Sequence, residues 1–381
     1  MYLTYRYRIL PTKRQHRALE AILESQRQLY NAALEERIDA YRKTGIRRTY
    51  FDQSKALTEW RHSDEDGARL PVTLQRATLK RLDDAYRGFF RRLKRGMKPG
   101  FPRFKGVGRF DSFGFRVFEA ISLKNQKLRF KGMPGGLRIH MHRPLPCEPL
   151  IKRCTFRRDA KGWMVGFELF LAPMPTRVFQ QTVGVDLGVT TFAALSDGNV
   201  IPSLRAARKA ERRLKILQRS SSRKRRGSKS SLRAKNLLRC CHAAVARRRM
   251  NHLHQASAHL VRKYDLIAVE ALQIKSLADG VLAKDVRDAS WSIFLSLLGY
   301  KAERAGARVV KVAPHNTSQD CSRCGTKVPK GLSDRRHDCP NCGLSLDRDL
   351  NAARNILSRA GVGPGLLNVA GDGMRAGGNL G

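Results

Sequence analysis

Hydrophobic and polar positions change rhythm along this chain. Tyr2-Leu-Thr-Tyr-Arg-Tyr-Arg-Ile9 alternates with a period of two and is β-rich, which predicts a strand ending at Pro11. From Thr12, placed to cap a helix, the period lengthens. Leu19, Ile22, Leu23, Tyr30, Ala33, Leu34, Ile38 and Tyr41 predict one long amphipathic helix. A second stripe runs through Leu74, Thr78, Leu82, Tyr86, Phe89 and Leu93, with a more polar connection, Thr44–Leu70, between the two. Residues 12–100 therefore read as a helical module, and the composition changes at Pro99-Gly-Phe-Pro-Arg-Phe-Lys-Gly106. From there to about 180 the runs are short and alternating, as in Phe113-Gly-Phe-Arg-Val-Phe118, Leu137-Arg-Ile-His-Met141 and Gly162-Trp-Met-Val-Gly-Phe-Glu-Leu-Phe-Leu171. That pattern belongs to a β-barrel or sandwich. If the first strand joins it, the helical module is an insertion within a β domain. From Val183 the pattern becomes α/β: a hairpin over 183–187 and 191–195, strands over 266–270 and 308–312, and a helix over 291–305. Leu214, Leu217, Leu232, Leu237 and Leu238 predict a helical hairpin within 204–251, turning at 220–231. Residues 361–381 hold eight glycines and no periodicity, which predicts a disordered tail.

Charge narrows the function classes. The 381 residues, enough for two or three domains, carry 75 Lys+Arg against 32 Asp+Glu, a net charge of +43. Such an excess repels itself in a folded chain and calls for a polyanionic partner, nucleic acid first and an anionic membrane surface second. The longest uncharged apolar stretch, Ala289–Tyr300, is far short of the ~20 residues that a bilayer span needs. The first residues show no apolar signal region. Within 204–251 stand 18 Lys/Arg and one acid, Glu211, which no internal pairing can balance. A phosphate backbone is the economical partner, and Arg212, Arg213, Arg223, Lys224, Arg225 and Arg226 are candidate contacts. In Phe101-Pro-Arg-Phe-Lys-Gly-Val-Gly-Arg-Phe110 most phenylalanines are expected in the β-domain core, leaving Arg103 and Lys105 to contact RNA.

Two constellations carry chemistry. Cys321-Ser-Arg-Cys324-Gly and Cys339-Pro-Asn-Cys342-Gly are 14 residues apart, and each places two thiolates on one metal. Together they complete the tetrahedral four-thiolate site of a structural Zn²⁺; two disulfides are the alternative. Cys147, Cys154, Cys240 and Cys241 lack ligand spacing and read as reduced bystanders. Three acids stand in unusual places. Asp186 lies within Val-Gly-Val-Asp-Leu-Gly, Glu270 ends Leu-Ile-Ala-Val-Glu, and Asp349 opens a helix in Leu-Asp-Arg-Asp-Leu-Asn-Ala-Ala-Arg-Asn-Ile. Strand alternation puts Asp186 on the face of Gly184, opposite Val185 and Leu187. A carboxylate on a buried strand is costly unless paired or metal-bound. Converging, the three could hold two Mg²⁺ about 3.5–4 Å apart for in-line phosphodiester cleavage. Taken singly, a salt bridge to Arg explains each acid as well. Gly-x-Asp-x-Gly also occurs in sugar-kinase-type ATPases, but no Gly-rich adenosine segment accompanies it.

In this order, Gly-Val-Asp-Leu-Gly, Ala-Val-Glu-Ala-Leu, the four-cysteine ribbon and Asp-Arg-Asp-Leu-Asn-Ala-Ala-Arg-Asn-Ile resemble TnpB, the RNA-guided nuclease family of bacterial and archaeal insertion sequences, related to compact type V CRISPR effectors. Leu29-Tyr-Asn-Ala-Ala-Leu34, Ala85-Tyr-Arg-Gly-Phe-Phe90 and Gly100-Phe-Pro-Arg-Phe-Lys105 extend the match over roughly residues 1–360. The resemblance implies a multidomain α/β protein. A wedge domain, an oligonucleotide-binding-like β-barrel, takes residues 1–11 and 105–180, interrupted by a helical recognition domain at 12–104. An RNase H-like (RuvC-like) nuclease domain takes 181–360, with the basic segment at 204–251 and the zinc ribbon at 318–345. The implied catalytic acids and Mg²⁺ (or Mn²⁺) ligands are Asp186, Glu270 and Asp349, with Asp347 the fallback for the third. Tyr50, Ser54 and Gln75 fall where the family contacts the target-adjacent motif, while Pro71 replaces a lysine that the family can carry. The implied partners are a guide RNA from the transposon end and double- and single-stranded target DNA, in a monomeric ribonucleoprotein in the cytoplasm or at the nucleoid of a bacterium or archaeon, with no membrane. Residues 271–290 or the ribbon are expected to gate the site. The alternative function is a guided or non-specific nucleic-acid-binding protein without cleavage. A dead relative would lack one acid, and all three are present here.

Overall fold

The structure is a computed structural model that describes residues 2–118, 120–146, 150–160, 162–172, 174–273, 283–331 and 334–361. The expectations for Cys147, for residues 362–381 and for part of the gating segment (274–282) lie outside these residues. The chain divides after Ala172 into two compact units. That boundary precedes the expected 180/181 because residues 174–181 are fastened to the second unit. Arg177 N donates to Gly306 O (2.7 Å), and the Gln180 and Gln181 amides donate to the Asp265 carboxylate (3.2 and 3.1 Å).

In the first unit, strand β1 (Tyr2–Leu10) is followed by helices α1 (Lys13–Thr44), α2 (Tyr50–Ser63), α3 (Glu65–Ala68) and α4 (Val72–Lys94). Strands β2 (Ser112–Phe115), β3 (Ser122–Lys124), β4 (Lys127–Arg129), β5 (Leu137–His140), β6 (Leu150–Asp159) and β7 (Gly162–Phe170) follow. One antiparallel sheet orders them β2-β6-β7-β1-β5-β4-β3, so β1 pairs with strands beyond the helices, which are an insertion. Helix α1 starts on a capping box, Thr12 with Gln15, and stops at Gly45, whose φ of 69° is left-handed.

The polar connection 44–70 carries two of these helices, α2 and α3. Thr49 and Asp52 form a capping box for α2, and buried Gln53 donates to Ala33 O (2.7 Å) and accepts from Arg37 (2.8 Å). Leu57 is the single apolar side chain of α2 that is buried, so this helix docks through polar groups and leaves no hydrophobic stripe to read. The β-barrel, in turn, is open, since no ladder joins β2 to β3 among the described residues. The sheet nevertheless curls, because Phe130, just past β4, meets Phe115 of β2 and Phe156 of β6, each at 5.3 Å between ring centres. Phe113, Phe115, Phe156, Trp163 and Phe167 fill the enclosed core.

The second unit begins with β8 (Thr182–Leu187), β9 (Thr191–Leu195), β10 (Val200–Pro202), α5 (Ala206–Ser222), α6 (Lys229–Lys263) and β11 (Leu266–Glu270). It continues through α7 (Ala283–Ala289), α8 (Trp291–Ala305), β12 (Arg308–Val312), β13 (Arg336–Asp338), β14 (Ser345–Asp347) and α9 (Arg348–Arg359). The sheet order is β10-β9-β8-β11-β12, antiparallel on the β10 side and parallel from β8 through β12. Val183, Val185, Leu187 and Phe192 pack with Leu253 and Leu260 of α6 and Phe294 and Leu298 of α8. The basic hairpin turns at 223–228 as expected, but α6 runs on beyond 251. Leu253, Ala256, Leu260 and Val261 anchor its last turns in the core. No helix among the described residues is long and apolar enough to cross a membrane.

Candidate active site

Strand β8 turns Val183, Val185 and Leu187 to the core, and Gly184 and Asp186 to the opposite face. Helix α9 lies on that face. A Cβ on Gly184 would stand 2.0 Å from Ala353 O and 2.8 Å from Leu357 N, so only glycine lets the helix backbone touch the strand. From that contact two strand residues lead to Asp186, about 6.6–6.8 Å on. One helical turn back from Ala353 leads to Asp349, about 6 Å away. The steps match, and Asp349 comes close enough to raise the proton affinity of Asp186. The third acid arrives by sheet register. Val185 pairs with Val269 in parallel, so Asp186 and Glu270 are the next residues on adjacent strands.

Electrostatics records the crowding. Burial, then the Glu270 and Asp349 carboxylates, push Asp186 up to about 8. Burial also lifts Glu270, against a hydrogen bond that its Oε1 accepts from the Thr317 hydroxyl. Asp347 is the helix N-cap, with its Oδ1 accepting from the amides of Asp349 (2.8 Å) and Leu350 (3.2 Å). One oxygen of that carboxylate is thus committed to the cap, and Asp349 acts on Asp186 more strongly than Asp347 does. Arg348, 3.6 Å from Asp349, is a cation at the site's edge. The carboxylates are not packed oxygen against oxygen: among the described residues, the four cysteines are the one set whose ligand atoms all lie within 4.8 Å of one another. Acids crowded enough to hold a proton near neutral pH, with oxygens set apart, are a donor set suited to hard divalent cations.

Cys321, Cys324, Cys339 and Cys342 converge from two matching turns. Gly325 and Gly343 are left-handed (φ 73° and 69°), and their amides donate to Cys321 O and Cys339 O. Sγ atoms of Cys321 and Cys342 are 3.6 Å apart, and those of Cys324 and Cys339 3.5 Å. These separations exceed a disulfide bond and suit four thiolates around one Zn²⁺. Hydrogen bonding with Thr326 holds the Cys324 thiol down at about 5, toward the thiolate that a metal requires.

The nucleic-acid candidates separate. Arg212, Arg213, Arg223, Lys224, Arg225 and Arg226 are all exposed on the hairpin. Arg103 is exposed, whereas Lys105 is half-buried with Nζ 5.4 Å over the Tyr30 ring. The phenylalanines beside them are not the expected core. Phe101 and Phe104 are 46% and 53% exposed, because Phe101 packs edge-on against Tyr86 and Phe89 of α4 instead of entering the sheet. Tyr50 begins α2 with Lys80 Nζ 5.2 Å over its ring, and the Ser54 hydroxyl is buried without a hydrogen-bond partner among the described residues. Gln75 is 2% exposed, accepts from Arg61 and donates to Gly67 O (3.0 Å). As placed, it orders the turn before α4 and reaches no solvent. Sequence reasoning missed Thr317, Asn351 and Asn355. The two asparagines, four apart on the helix face of Ala352 and Ile356, were the available signal.

Known proteins match along nearly the whole length. Residues 172–280 match a family described as "Probable transposase" (OrfB_IS605), and 291–356 match "Cas12f1-like, TNB domain". Residues 1–45 match an OrfB_IS605 "Helix-turn-helix domain", a stretch that folds here as β1 and one continuous helix. A Streptomyces pristinaespiralis protein described as "Putative RNA-guided DNA endonuclease" is 33% identical over 97% of this chain and 91% of its own. InsQ of Escherichia coli K12, with the same description, is 26% identical over 93% of this chain and 91% of its own. The protein of a solved Cas12f1–sgRNA–target DNA complex shares the fold at TM-score 0.59 and 15% identity, over 91% of this chain and 83% of that one. The fold is thus Cas12-like, mixed α/β with a four-cysteine cluster. With a relative this similar over nearly its full length, the chain belongs to the TnpB family of insertion-sequence proteins.

Proposed function

We propose that this protein is an RNA-guided DNA endonuclease that cleaves target DNA beside a short motif by metal-dependent phosphodiester hydrolysis. The observation that carries the reading is the convergence of Asp186, Glu270 and Asp349 at one end of a mixed sheet, with like charges pushing Asp186 up to about 8. Two Mg²⁺ or Mn²⁺ ions bound there would activate a water and stabilise the leaving 3′ oxygen. Asp186, Glu270 and Asp349 would be the residues that hold these ions. Arg348 is placed to steady a phosphate oxygen or Asp349 itself. The apolar strands beneath keep the carboxylates at fixed positions.

The second unit, which begins after Ala172, is the RuvC-like nuclease domain, with the zinc ribbon (318–345) entering before the last acid. The curled sheet of the first unit is the wedge domain, and its helical insertion the recognition domain. Guide RNA from the transposon end supplies sequence specificity by pairing, while the exposed cations of α5 and α6 grip phosphates. The active species is a monomeric ribonucleoprotein working at the nucleoid of its host. Asp186→Ala tests the reading: it is expected to abolish cleavage of matched target while guide and target binding persist. Undiminished cleavage by this variant would remove Asp186 from the chemistry and the proposal with it.

A further inference from the structure

One turn of chain joins the two metal-binding constellations of the second unit. It runs from Ala313 to Ser322 and enters the ribbon at Cys321. Asn316 is left-handed (φ 54°), and its carbonyl accepts from the Gln319 and Asp320 amides (3.0 and 2.9 Å). Helix α9 grips this turn along its length. Asn355 Nδ2 donates to Thr317 O (2.8 Å) and Asp320 O (2.6 Å). Asn351 donates to Asp320 O (2.7 Å) and accepts from Ser322 N (2.9 Å). Arg359 reaches Ala313 O (3.3 Å), His315 O and the Asp320 carboxylate (2.7 Å). Both asparagines are buried, so these bonds are made out of water's reach. The helix that carries Asp349 thus also fixes the turn. Thr317, 5% exposed, points its hydroxyl from that turn to Glu270 Oε1, which leaves Oε2 without that bond.

We propose that Thr317 is a positioning residue for the nuclease centre: it orients the Glu270 carboxylate toward the divalent cations, and the turn between β12 and the ribbon exists in this form to hold it there. The inference rests on the assignment of Glu270 as a metal ligand under the proposed function. A glutamate has several rotatable bonds, and at the end of a strand nothing in its backbone selects one carboxylate orientation. A hydroxyl on one oxygen fixes the plane of the group and presents the other. Partners of this kind, one bond removed from the ion, typically hold about 10–100-fold of metal affinity. A purely structural role, a buried hydroxyl finding an acceptor, would leave metal affinity alone.

The test uses the full-length, RNA-free chain, with Mn²⁺ binding followed by loss of the free-ion EPR signal and zinc content measured alongside. Thr317→Val is expected to weaken Mn²⁺ binding about tenfold or more, with one zinc per chain retained. Thr317→Ser, which keeps the hydroxyl, is expected within about twofold of the parent. Asn355→Ala leaves Thr317 intact but frees the turn, and is expected to shift Mn²⁺ binding in the same direction. With guide and target added, the Mg²⁺ concentration for half-maximal cleavage moves in parallel in T317V. Parent-like Mn²⁺ affinity in both T317V and N355A overturns the role of Thr317. A parent that binds no more Mn²⁺ than D186A overturns the metal centre itself, which is a separate failure.

Discussion

Gly184 shows how much one missing side chain decides. With Ala353 O 2.0 Å from where a Cβ would sit, Gly184→Ala must push α9 off β8 and carry Asp349 away from Asp186. Overpacking of this kind costs about 1–3 kcal/mol or more. The expected result is a melting temperature lower by several degrees and loss of cleavage even at high Mg²⁺; an unchanged melt and full cleavage would show that the helix can yield. Asp186 makes a second prediction. Its acidity is held near 8 in the folded chain against the usual 3.8, so the native state keeps a proton that the unfolded chain has released. Without divalent cations, stability should fall as pH rises from about 4 to about 8, then level off. Asp186→Asn removes that penalty and is expected to raise the metal-free melting temperature at pH 8 by roughly 2–6 °C, read by calorimetry in EDTA. Asp186 and Glu270 stand out in the sequence because a carboxylate in an apolar strand breaks the pattern, whereas Asp349 opens a helix. The family resemblance alone prefers Asp349 to Asp347, since the two flank Arg348 alike; in the fold Asp347 is the N-cap of α9.

At the scale of elements, the basic hairpin is rooted on α7, whose Asp285 and Asp288 supply acids that the hairpin lacks. Helix α5 begins at Ala206 with no side-chain cap from Arg205, and Asp288 of α7 caps it instead, accepting from Ala207 N (3.1 and 2.9 Å) while paired with Arg249 of α6 (2.7 Å). Arg208–Asp285 (2.8 Å) and Lys284–Glu211 (2.7 Å) extend the contact. Asp288→Ala leaves a helix start uncapped and Arg249 without its carboxylate, a loss of about 1–3 kcal/mol. Urea unfolding of the RNA-free chain should show it, and an unshifted midpoint would mean that the root holds without this acid. The hairpin itself was readable from its leucines, whereas α2 was not, because Gln53 and a capping box dock it where an apolar stripe was sought. The open edge between β2 and β3 was equally invisible, since strand periodicity says which face is buried and nothing about which strand ends a sheet.

For the whole molecule, charge is the governing quantity. A chain at +43 meets RNA with strong, salt-sensitive attraction. Guide affinity is expected to drop about 10³–10⁵-fold between 50 and 200 mM salt if six to ten phosphates are contacted. Replacing Arg223, Lys224, Arg225 and Arg226 with alanine should flatten the log–log salt slope by about one for each cation that touches phosphate. An unaltered slope would place the RNA elsewhere on the protein.

The sequence alone determined what is local or additive: the periods of strands and helices, the zinc ligand set, the three acids, and the excess of positive charge. Tertiary structure decided what depends on residues far apart in the chain meeting in register. It put Asp349 beside Asp186 through the bare backbone at Gly184, buried Gln75 against the turn before α4, and aimed Thr317 at Glu270. Periodicity reports which face of an element is buried, but the partner on that face is set by how β8, β11 and α9 pack, and no single segment encodes that packing.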